Sequence, residues 1–385
     1  MNIGINALYL IPGQVGGTET YLRGLLRALA EIDSDNRYFL FTNRETGPDL
    51  LPKAPNFQLV PQPIRAVVRP ARILWEQAAL PLTALRLKLD VLLNPGFTAP
   101  LAAPCPQVTV FHDLQHKRHP EYFRWFDLPF WNFFLYWSAR VSNLVLADSD
   151  ATARDLFRFY RLGNAGGSAE GRLVAGVPSK VRVVPLGVDP VFFDIAARRC
   201  PSAAEPFLLS ASTLHPHKNL DGLLRAFAQF RRTRPEYRLI VCGLHGFFTG
   251  PLHELRQSLG LADAVDFPGW IPRADLHDLF ARASAFVYPS FFEGFGLPVV
   301  EALAAGIPTA CSNIEPLGSI ASDAALQFDP HSPDAIAASM LRLVEDDTLR
   351  ARLVIAGPAR AAEFSWAKTA EATLRALIAA RSPLR

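Results

Sequence analysis

The sequence predicts an α/β protein with two Rossmann-like domains, each built on a parallel β-sheet with helices on both faces. Short apolar segments of strand length alternate with segments of helical period, which favours parallel sheets joined by helical crossovers. The alternation starts again after a stretch without period, and 385 residues exceed the roughly 250–300 that one core holds. Two domains are therefore expected, with the ligand in the cleft where they face each other.

The first series of elements predicts an N-terminal domain over residues 1–187. It begins with a strand at Ile3–Asn6 and a helix at Thr18–Glu31, whose leucines recur at helical spacing along one face. The further strands predicted in this series are Tyr38–Thr42, Val91–Asn94, Val108–His112, Leu144–Ala147 and Val181–Pro185. The irregular stretch Arg161–Lys180 is expected to be a surface loop.

The second series predicts a C-terminal domain over residues 207–363. Its predicted elements are strands at Phe207–Ser210, Arg238–Cys242, Phe286–Tyr288 and Pro308–Cys311, with helices at Leu220–Arg231, Leu252–Leu259 and Pro298–Ala305. Residues 188–206 carry proline, alanine and charge without a clear period, so we expect a linker there. Residues 364–385 contain a last helix, Trp366–Ala380, which we expect to pack back on the N-terminal domain.

Composition and charge narrow the function classes. The chain is 50% hydrophobic and 19% charged, which is a globular composition, and its net charge of +3 gives no reason to expect a nucleic-acid partner. The four cysteines are dispersed and form no metal-ligand pattern, as in a reducing compartment. The start of the chain is predicted to be a strand rather than a signal peptide, and no apolar run reaches the roughly 18–20 residues that span a bilayer. A cytoplasmic protein is expected, with peripheral contact to the inner face of the membrane left open.

The densest motif is the string YPSFFEGFGLPVVEALAAGIPTACSN at Tyr288–Asn313. Pro298 suits the first turn of a helix, where its missing N–H would be unpaired in any case. Glu293 should therefore lie in the loop before this helix and Glu301 about one turn inside it. The two carboxylates, with seven residues between them, can accept hydrogen bonds from hydroxyl groups of a ligand.

The glycines of this motif predict a phosphate cradle. Gly294 and Gly296 allow the backbone to approach a ligand closely. The helix N-terminus that follows offers unpaired N–H donors and a partial positive charge. Lys218, in the turn between a predicted strand and helix, adds a positive charge at a position where phosphates bind.

The same motif resembles the E-x7-E signature of the GT4-type retaining glycosyltransferases, which have the GT-B fold. The resemblance continues in GGTETYLRGL (Gly16–Leu25), FHDLQHKRHPEYF (Phe111–Phe123), ADSDATARDL (Ala147–Leu156), VRVVPLGVDP (Val181–Pro190), LHPHKNLDGLLRAF (Leu214–Phe227) and DFPGWIPRADLHDLFARASAFVYPS (Asp266–Ser290). These blocks follow the family's order over nearly the whole chain. The resemblance implies a nucleotide-sugar donor bound by the C-terminal domain and an acceptor bound by the N-terminal domain.

Site residues follow from the same resemblance. It implies catalytic roles for Glu293, beside the transferred sugar, and for His112, at the end of a strand near that sugar. It implies donor contacts at Gly16, Gly17, Thr213, Lys218, Ile271, Gly294, Phe295, Gly296, Leu297 and Glu301. Glu301 is expected to bind the ribose hydroxyls and Lys218 the diphosphate. Thr213 stands where the family often has an arginine, so the diphosphate site carries less fixed charge than is usual.

No metal site is expected. Two D-x-D triplets, Asp33–Asp35 and Asp148–Asp150, occur in a loop after a helix and at a helix start, and no third ligand supports either. Because the predicted phosphate cradle is made of Lys218 and backbone N–H groups, we expect catalysis without a metal or other cofactor.

The stretch Tyr122–Arg140 is unusually aromatic, and two interpretations of it stay open. It is either an interfacial helix on a membrane or a buried helix that packs between the domains. The basic residues Arg65, Arg69, Arg72, Arg86 and Lys88 could meet an anionic membrane or a lipid-diphosphate acceptor, or simply form a solvated basic face.

For the reaction, the first expectation is mannose transfer from GDP-mannose to a glycan or a lipid-diphosphate-linked glycan in cell-surface polysaccharide assembly. The blocks around Phe111–Phe123 and Leu214–Phe227 resemble those of bacterial mannosyl- and rhamnosyltransferases of that assembly. A nucleotide-sugar 2-epimerase and a non-catalytic sugar-binding protein are the alternatives. The motif at Tyr288–Asn313 argues against the first, and the absence of a signal peptide against the second.

Overall fold

The structure is a computed structural model that describes residues 1–162, 180–200, 204–244, 246 and 248–381. It divides into two compact units. The first is Met1–Gly187 together with Trp366–Arg385, and the second is Val188–Ser365.

The first unit is built on a seven-stranded parallel sheet. Its strands are β1 (Asn2–Asn6), β2 (Arg37–Thr42), β3 (Phe57–Pro61), β4 (Val91–Asn94), β5 (Gln107–Phe111), β6 (Leu144–Ala147) and β7 (Val181–Val183). Its first helices are α1 (Gly17–Ile32), α2 (Arg69–Arg86), α3 (Gln115–Arg118), α4 (Leu128–Val141) and α5 (Asp150–Tyr160). The spatial order β3-β2-β1-β4-β5-β6-β7 reverses direction between β1 and β4, as in a Rossmann fold.

The second unit contains a six-stranded parallel sheet. Its strands are β8 (Glu205–Ala211), β9 (Arg238–Cys242), β10 (Val265–Gly269), β11 (Ala283–Tyr288), β12 (Thr309–Ser312) and β13 (Leu326–Phe328). Its helices are α6 (Val191–Arg198), α7 (Leu220–Thr233), α8 (Thr249–Ser258), α9 (Arg273–Arg282), α10 (Leu297–Ala304), α11 (Leu317–Ala321), α12 (Pro333–Glu345) and α13 (Asp347–Ala361). The order β10-β9-β8-β11-β12-β13 reverses between β8 and β11.

The sequence explains why these sheets are parallel and enclosed. Strands β4, β5, β6 and β12 are buried along their whole length, which requires cover on both faces of the sheet. The helices supply that cover: α7, for example, buries Leu223, Leu224, Phe227 and Phe230 in the core of the second unit. The predicted α/β class with two Rossmann-like domains is confirmed.

The last helix, α14 (Trp366–Arg381), belongs to the first unit, although the whole second unit precedes it in the chain. The ring of Trp366 lies directly against Gly24 of α1, where a Cβ atom would come within 2.3 Å of it. The hydroxyl of Thr369 donates to the carbonyl of Pro185 at 2.7 Å. A glycine on α1 therefore makes the space into which the indole packs.

The structure differs from the expected linker at residues 188–206. This segment contains the helix α6, whose Phe192 is buried against Phe280 of α9, with ring centroids 5.1 Å apart. It also contains the first residues of β8, so it is part of the second unit rather than a connection without structure. Most of the expected loop at residues 161–180 lies outside the described residues, as do residues 201–203 of the expected linker.

The aromatic stretch Tyr122–Arg140 has some side chains buried in the core and others exposed to solvent. On α4, Leu135 and Ala139 are buried in the core of the first unit. Trp125 is 81% exposed, and Phe133 and Trp137 are half exposed. Within the described part of the chain, no helix combines the length and the apolar character needed to cross a membrane.

Candidate active site

In both units the order of the strands reverses at the point where ligands bind in open parallel sheets, outside the carboxyl ends of the strands. In the second unit this point lies between β8 and β11. The loop after β8 leads to Lys218, and the loop after β11 leads to Glu293. Two segments far apart in the sequence are thus brought together by one strand pairing.

The ammonium Nζ of Lys218 lies 2.6 Å from the carboxylate Oε1 of Glu293. It also donates to the hydroxyl of Tyr288 at 3.2 Å, and it lies over the same ring at 5.6 Å from the centroid. Burial lowers the pKa of Lys218, but Glu293 and Tyr288 more than offset that effect and hold the pKa above its usual value. Lys218 is therefore a fixed positive charge across the physiological pH range.

The turn that presents Lys218 is held by its neighbour Asn219. Asn219 has a left-handed backbone with φ 54°, and it starts α7. Its buried side-chain amide donates to the carbonyl of Pro289 at 3.0 Å and to that of Pro330 at 2.7 Å. The backbone N–H of Phe291 donates to the carbonyl of His217 at 2.8 Å. These bonds tie the lysine turn to the loop that carries Glu293.

The loop before α10 ends in a glycine that the fold requires. Gly296 has φ 101°, and a Cβ atom there would come within 2.2 Å of the Leu317 side chain. The helix then begins at Leu297, with Pro298 in its first turn. Among the described residues, no acceptor takes a hydrogen bond from the backbone N–H of Gly296 or Leu297. The start of α10 therefore presents unpaired N–H donors that suit an anion.

Glu301 lies on α10, half-buried, at the predicted distance from the loop. Burial raises the pKa of its carboxyl to about 8; Arg273 opposes this rise and Asp189 adds to it. Arg273 itself pairs with Asp189 at 3.2 Å. At neutral pH Glu301 therefore holds a proton and can donate a hydrogen bond as well as accept one.

Other predicted donor contacts lie at neighbouring strand ends. Thr213 follows β8, and its carbonyl accepts from the N–H of His215 at 2.8 Å. Ile271 follows β10 in the segment that leads to α9, and it is partly exposed. Phe295 is 5% exposed and packs edge-on against Phe364, with ring centroids 5.6 Å apart, so its side chain supports the loop.

Two serines at this edge were missed by the sequence analysis. Ser212 follows β8, and Ser290 follows β11. Both hydroxyl oxygens are buried and have no hydrogen-bond partner among the described residues. Buried hydroxyls are normally paired, so both are candidate ligand contacts. Their only signal in the sequence is a small polar residue just after a strand.

In the first unit, Gly16 and Gly17 form the start of α1, after the loop that follows β1. Gly16 has φ 58° and ψ −129°, a backbone conformation that requires glycine. Gly17 has no such constraint. A Cβ atom at either position would meet nothing within 4 Å, so the space beside the helix start is open.

His112 has both ring nitrogens engaged. Nδ1 lies 2.6 Å from the carboxylate of Asp148, and Nε2 lies 2.9 Å from the carbonyl of Pro95. A carbonyl only accepts, so Nε2 carries a proton. Burial lowers the pKa of His112, but the Asp148 carboxylate outweighs it and raises that pKa. The ring is packed edge-on between Tyr21 and Phe97. His112 is thus held in a fixed orientation, with both ring nitrogens in hydrogen bonds.

The pairing of His112 also accounts for one D-x-D triplet. Asp148 is 2% exposed and faces His112, while Asp150 is the first residue of α5. In the other triplet, Asp33 accepts hydrogen bonds from Asn36 and Tyr38. Asp33 and Asp148, the first residues of the two triplets, therefore both have hydrogen-bond partners within the first unit.

Two family models match the chain. Residues 15–165 match Glycosyltransferase Family 4, and residues 198–360 match Glycosyl transferases group 1. The chain is a family 4 glycosyltransferase. This assignment confirms the predicted GT-B fold and the predicted enzyme class, and it leaves the alternatives of an epimerase and of a non-catalytic sugar-binding protein without support.

Relatives agree with this assignment. The glycosyltransferase is 32% identical over 270 residues to O-antigen chain mannosyltransferase B of Escherichia coli, covering 70% of this chain and 69% of the relative. It is 29% identical over 404 residues to the MMP alpha-(1->4)-mannosyltransferase of Mycolicibacterium hassiacum, covering 93% of each chain. Its fold is similar to that of Anabaena Alr3699/HepE in complex with UDP and glucose, with a TM-score of 0.72 and 21% identity, covering 98% of this chain and 100% of that one.

Proposed function

We propose that the glycosyltransferase moves mannose from GDP-mannose to a glycan or lipid-linked glycan acceptor, with retention of the anomeric configuration. The observation that carries the donor site is the Lys218–Glu293 pair beside the N-terminus of α10, which no side chain caps. The sugar assignment is supported by the mannosyltransferase relatives, one of them named for O-antigen chains. The setting is cell-surface polysaccharide assembly, in the cytoplasm or at the inner face of its membrane.

The second unit binds the donor. Its diphosphate accepts hydrogen bonds from Lys218 and from the backbone N–H groups of Gly296 and Leu297. Negative charge grows on this diphosphate as the sugar leaves, and donors already fixed around it stabilise that charge. No divalent metal is needed for this role. Glu301, which holds its proton, exchanges hydrogen bonds with the ribose hydroxyls.

Glu293 changes partner when the donor binds. Without donor its carboxylate is paired with Lys218 at 2.6 Å. When the donor binds, its diphosphate pairs with the ammonium group of Lys218. The Glu293 carboxylate can then accept hydrogen bonds from the hydroxyls of the transferred sugar. The pair therefore keeps two charges satisfied in the free enzyme and supplies both to the ligand.

The decisive experiment is a screen of nucleotide sugars against the purified protein. GDP-mannose should raise the thermal midpoint most, because the preferred donor has the lowest dissociation constant. A ligand at about 100 times its dissociation constant stabilises the folded protein by about 2.7 kcal/mol, which a thermal shift detects. Lys218→Met should abolish that shift, while Lys368→Met, an exposed change on α14, should keep it. The assignment of mannose fails if another nucleotide sugar is preferred, and the donor site fails if Lys218→Met binds donor like the wild type.

A further inference from the structure

The outer side of helix α2 is apolar where a surface helix normally carries charge. Leu74, Leu82 and Leu85 are between 57% and 70% exposed. Ala78 is exposed at the same helical spacing. Within this stretch the one charged residue is Glu76, which is buried. Helix α2 therefore turns a row of leucines to solvent, in addition to the apolar side that it packs into the core.

Helix α4 shows the same pattern with larger side chains. Phe133 and Trp137, one turn apart, are half exposed, and Trp125 is 81% exposed just before the helix. Residues 128–139 contain no charged residue. Aromatic rings that face water on an uncharged side of a helix indicate a surface that another body covers.

Helices α2 and α4 lie side by side. The guanidinium of Arg69, at the start of α2, lies over the ring of Trp131 on α4, 5.1 Å from its centroid. Further along, the carbonyl of Ala99 accepts a hydrogen bond from Gln77 of α2 at 3.1 Å. The N–H of Ala99 donates to the hydroxyl of Ser138 of α4 at 2.9 Å. The exposed apolar residues of the two helices therefore form one surface.

We call it the α2–α4 surface, and its residues are Leu74, Leu82, Leu85, Trp125, Phe133 and Trp137. Exposed basic side chains lie at both ends of the two helices: Arg69, Arg86, Lys88, Arg124 and Arg140. Asp127, an acidic residue at one of these ends, is paired with Arg69 at 3.6 Å. An apolar centre with basic borders matches an anionic lipid surface, where acyl chains take up apolar side chains and headgroup phosphates bind cations.

The charges argue against a second copy of the chain as the occupant. Two copies that share this surface around a twofold axis bring the same patch of each copy together. Because both ends of both helices are basic, either orientation places cations against cations, which disfavours the contact. An anionic bilayer offers the opposite charge along both borders.

We propose that the α2–α4 surface docks on an anionic membrane, with α2 and α4 lying in the plane of the headgroups. Each helix connects two parallel strands, so both helices begin at the carboxyl edge of the sheet. That edge is where ligands bind in such sheets. Docking thus brings the ligand-binding edge to the membrane, where a lipid-linked acceptor is held. The acceptor rests on the proposed function, whereas the docking is argued from the surface alone.

The test is co-sedimentation of the full chain with vesicles of phosphatidylcholine alone and of an equal mixture of phosphatidylcholine and phosphatidylglycerol. The protein should bind the mixed vesicles, and salt should weaken that binding by screening the charges. Leu82→Gln with Phe133→Gln, one change in each helix, should weaken it by about 10-fold or more. Ile355→Gln with Ile378→Gln changes exposed residues of α13 and α14, and this matched control should bind like the wild type. Equal binding by the two double variants would overturn the proposal.

A second pair of variants tests the basic borders. Each positive charge near an anionic surface strengthens binding about fivefold, so Arg86→Gln with Lys88→Gln should weaken binding to mixed vesicles by about 25-fold. Arg225→Gln with Arg232→Gln removes two exposed charges from α7 and should have no effect. An equal loss in both pairs would mean that net charge, rather than this surface, drives binding, and would reject the proposal.

Two further measurements separate the remaining outcomes. A dimer in analytical ultracentrifugation that Leu82→Gln with Phe133→Gln dissociates, without vesicle binding by the wild type, would identify a subunit interface and overturn the proposal. Transfer to a water-soluble glycan should be the same in this variant and the wild type, since neither residue belongs to the candidate site. Vesicle binding without mannose transfer would reject the proposed function and leave the docking intact. Mannose transfer without vesicle binding would do the reverse.

Discussion

Lys218 and Glu293 are 75 residues apart in the sequence, yet their charged atoms lie 2.6 Å apart because β8 and β11 are neighbouring strands. Their side chains are only 15% and 10% exposed. The two residues therefore form a largely buried ion pair in the free enzyme rather than a surface contact. Changing either residue should affect stability and catalysis differently.

We predict that Glu293→Gln lowers turnover by on the order of 10²-fold, because the carboxylate acts where charge changes during transfer. The same change should cost about 1–3 kcal/mol of stability in the free protein, since Lys218 loses a charged partner. Lys218→Met combined with Glu293→Gln should recover the stability but not the activity. Denaturant unfolding and initial-rate kinetics measure the two effects. Glu254→Gln on α8 is the exposed control, and equal turnover in both glutamine variants would remove Glu293 from the site.

Glu301 should give the protein a pH-dependent stability. Its pKa is raised from 4.5 to about 8 in the folded state, so folding binds a proton between these values. The resulting stabilisation is fully present below about pH 4.5 and is lost as pH rises to about 8, with a slope of at most about 1.4 kcal/mol per pH unit. Glu301→Gln should flatten that slope. Urea unfolding between pH 5 and 9 measures it, and identical slopes in mutant and wild type would contradict the raised pKa of this half-buried carboxyl.

The two glycines at the start of α1 should respond in opposite ways to alanine. Gly16→Ala should destabilise the protein by about 1–2 kcal/mol, because the backbone there is accessible only to glycine. Gly17→Ala should leave stability unchanged or slightly raised, because a Cβ atom meets nothing, but it should weaken ligand binding by filling the open space.

Gly250→Ala is the matched control for the second change. It also lies in the first turn of a helix with open space around it, in α8. Donor affinity and melting temperature are the measurements. Unaltered ligand affinity in Gly17→Ala would show that the loop does not approach the ligand.

These residues show what could be predicted from the sequence. The positions of Glu293 before α10 and of Glu301 within it followed from Pro298, because a proline in the first turn fixes where the helix begins. The partners of His112 did not follow, since Asp148 lies 36 residues away and meets it only through the pairing of β5 and β6. Arg72 could be named as one of several basic residues, but its burial could not be predicted, because a charge pattern does not show which side chains the fold encloses.

Activity should not depend on a divalent metal. In the proposed donor site, Lys218 and backbone N–H groups stabilise the charge of the leaving diphosphate, and this role needs no ion. Full activity should persist after treatment with EDTA and gel filtration. A loss of activity that Mg²⁺ or Mn²⁺ reverses would contradict this prediction. Mutation of the aspartates in the two D-x-D triplets would then test whether they bind the metal.

The last prediction is that the anomeric configuration of the donor sugar is retained. Inversion requires a general base that deprotonates the acceptor hydroxyl on the face opposite the leaving diphosphate. In the first unit the candidates from the sequence are His112 and Asp113. His112 carries a proton on Nε2 and is paired through Nδ1, so it has no nitrogen left to accept one. Asp113 accepts a hydrogen bond from the N–H of Gln115 at 2.8 Å, which directs it to its own backbone.

Without such a base, the departing phosphate is the available proton acceptor, and attack then comes from the face on which it leaves. His112→Gln should therefore lower the rate by removing a ring that Asp148 and Pro95 hold in place, without changing the stereochemistry of the product. Proton NMR of the first-formed product from an α-linked donor reads the configuration directly. A β-linked product would reject retention, and it would mean that the His112–Asp148 pair opens during catalysis to release a base.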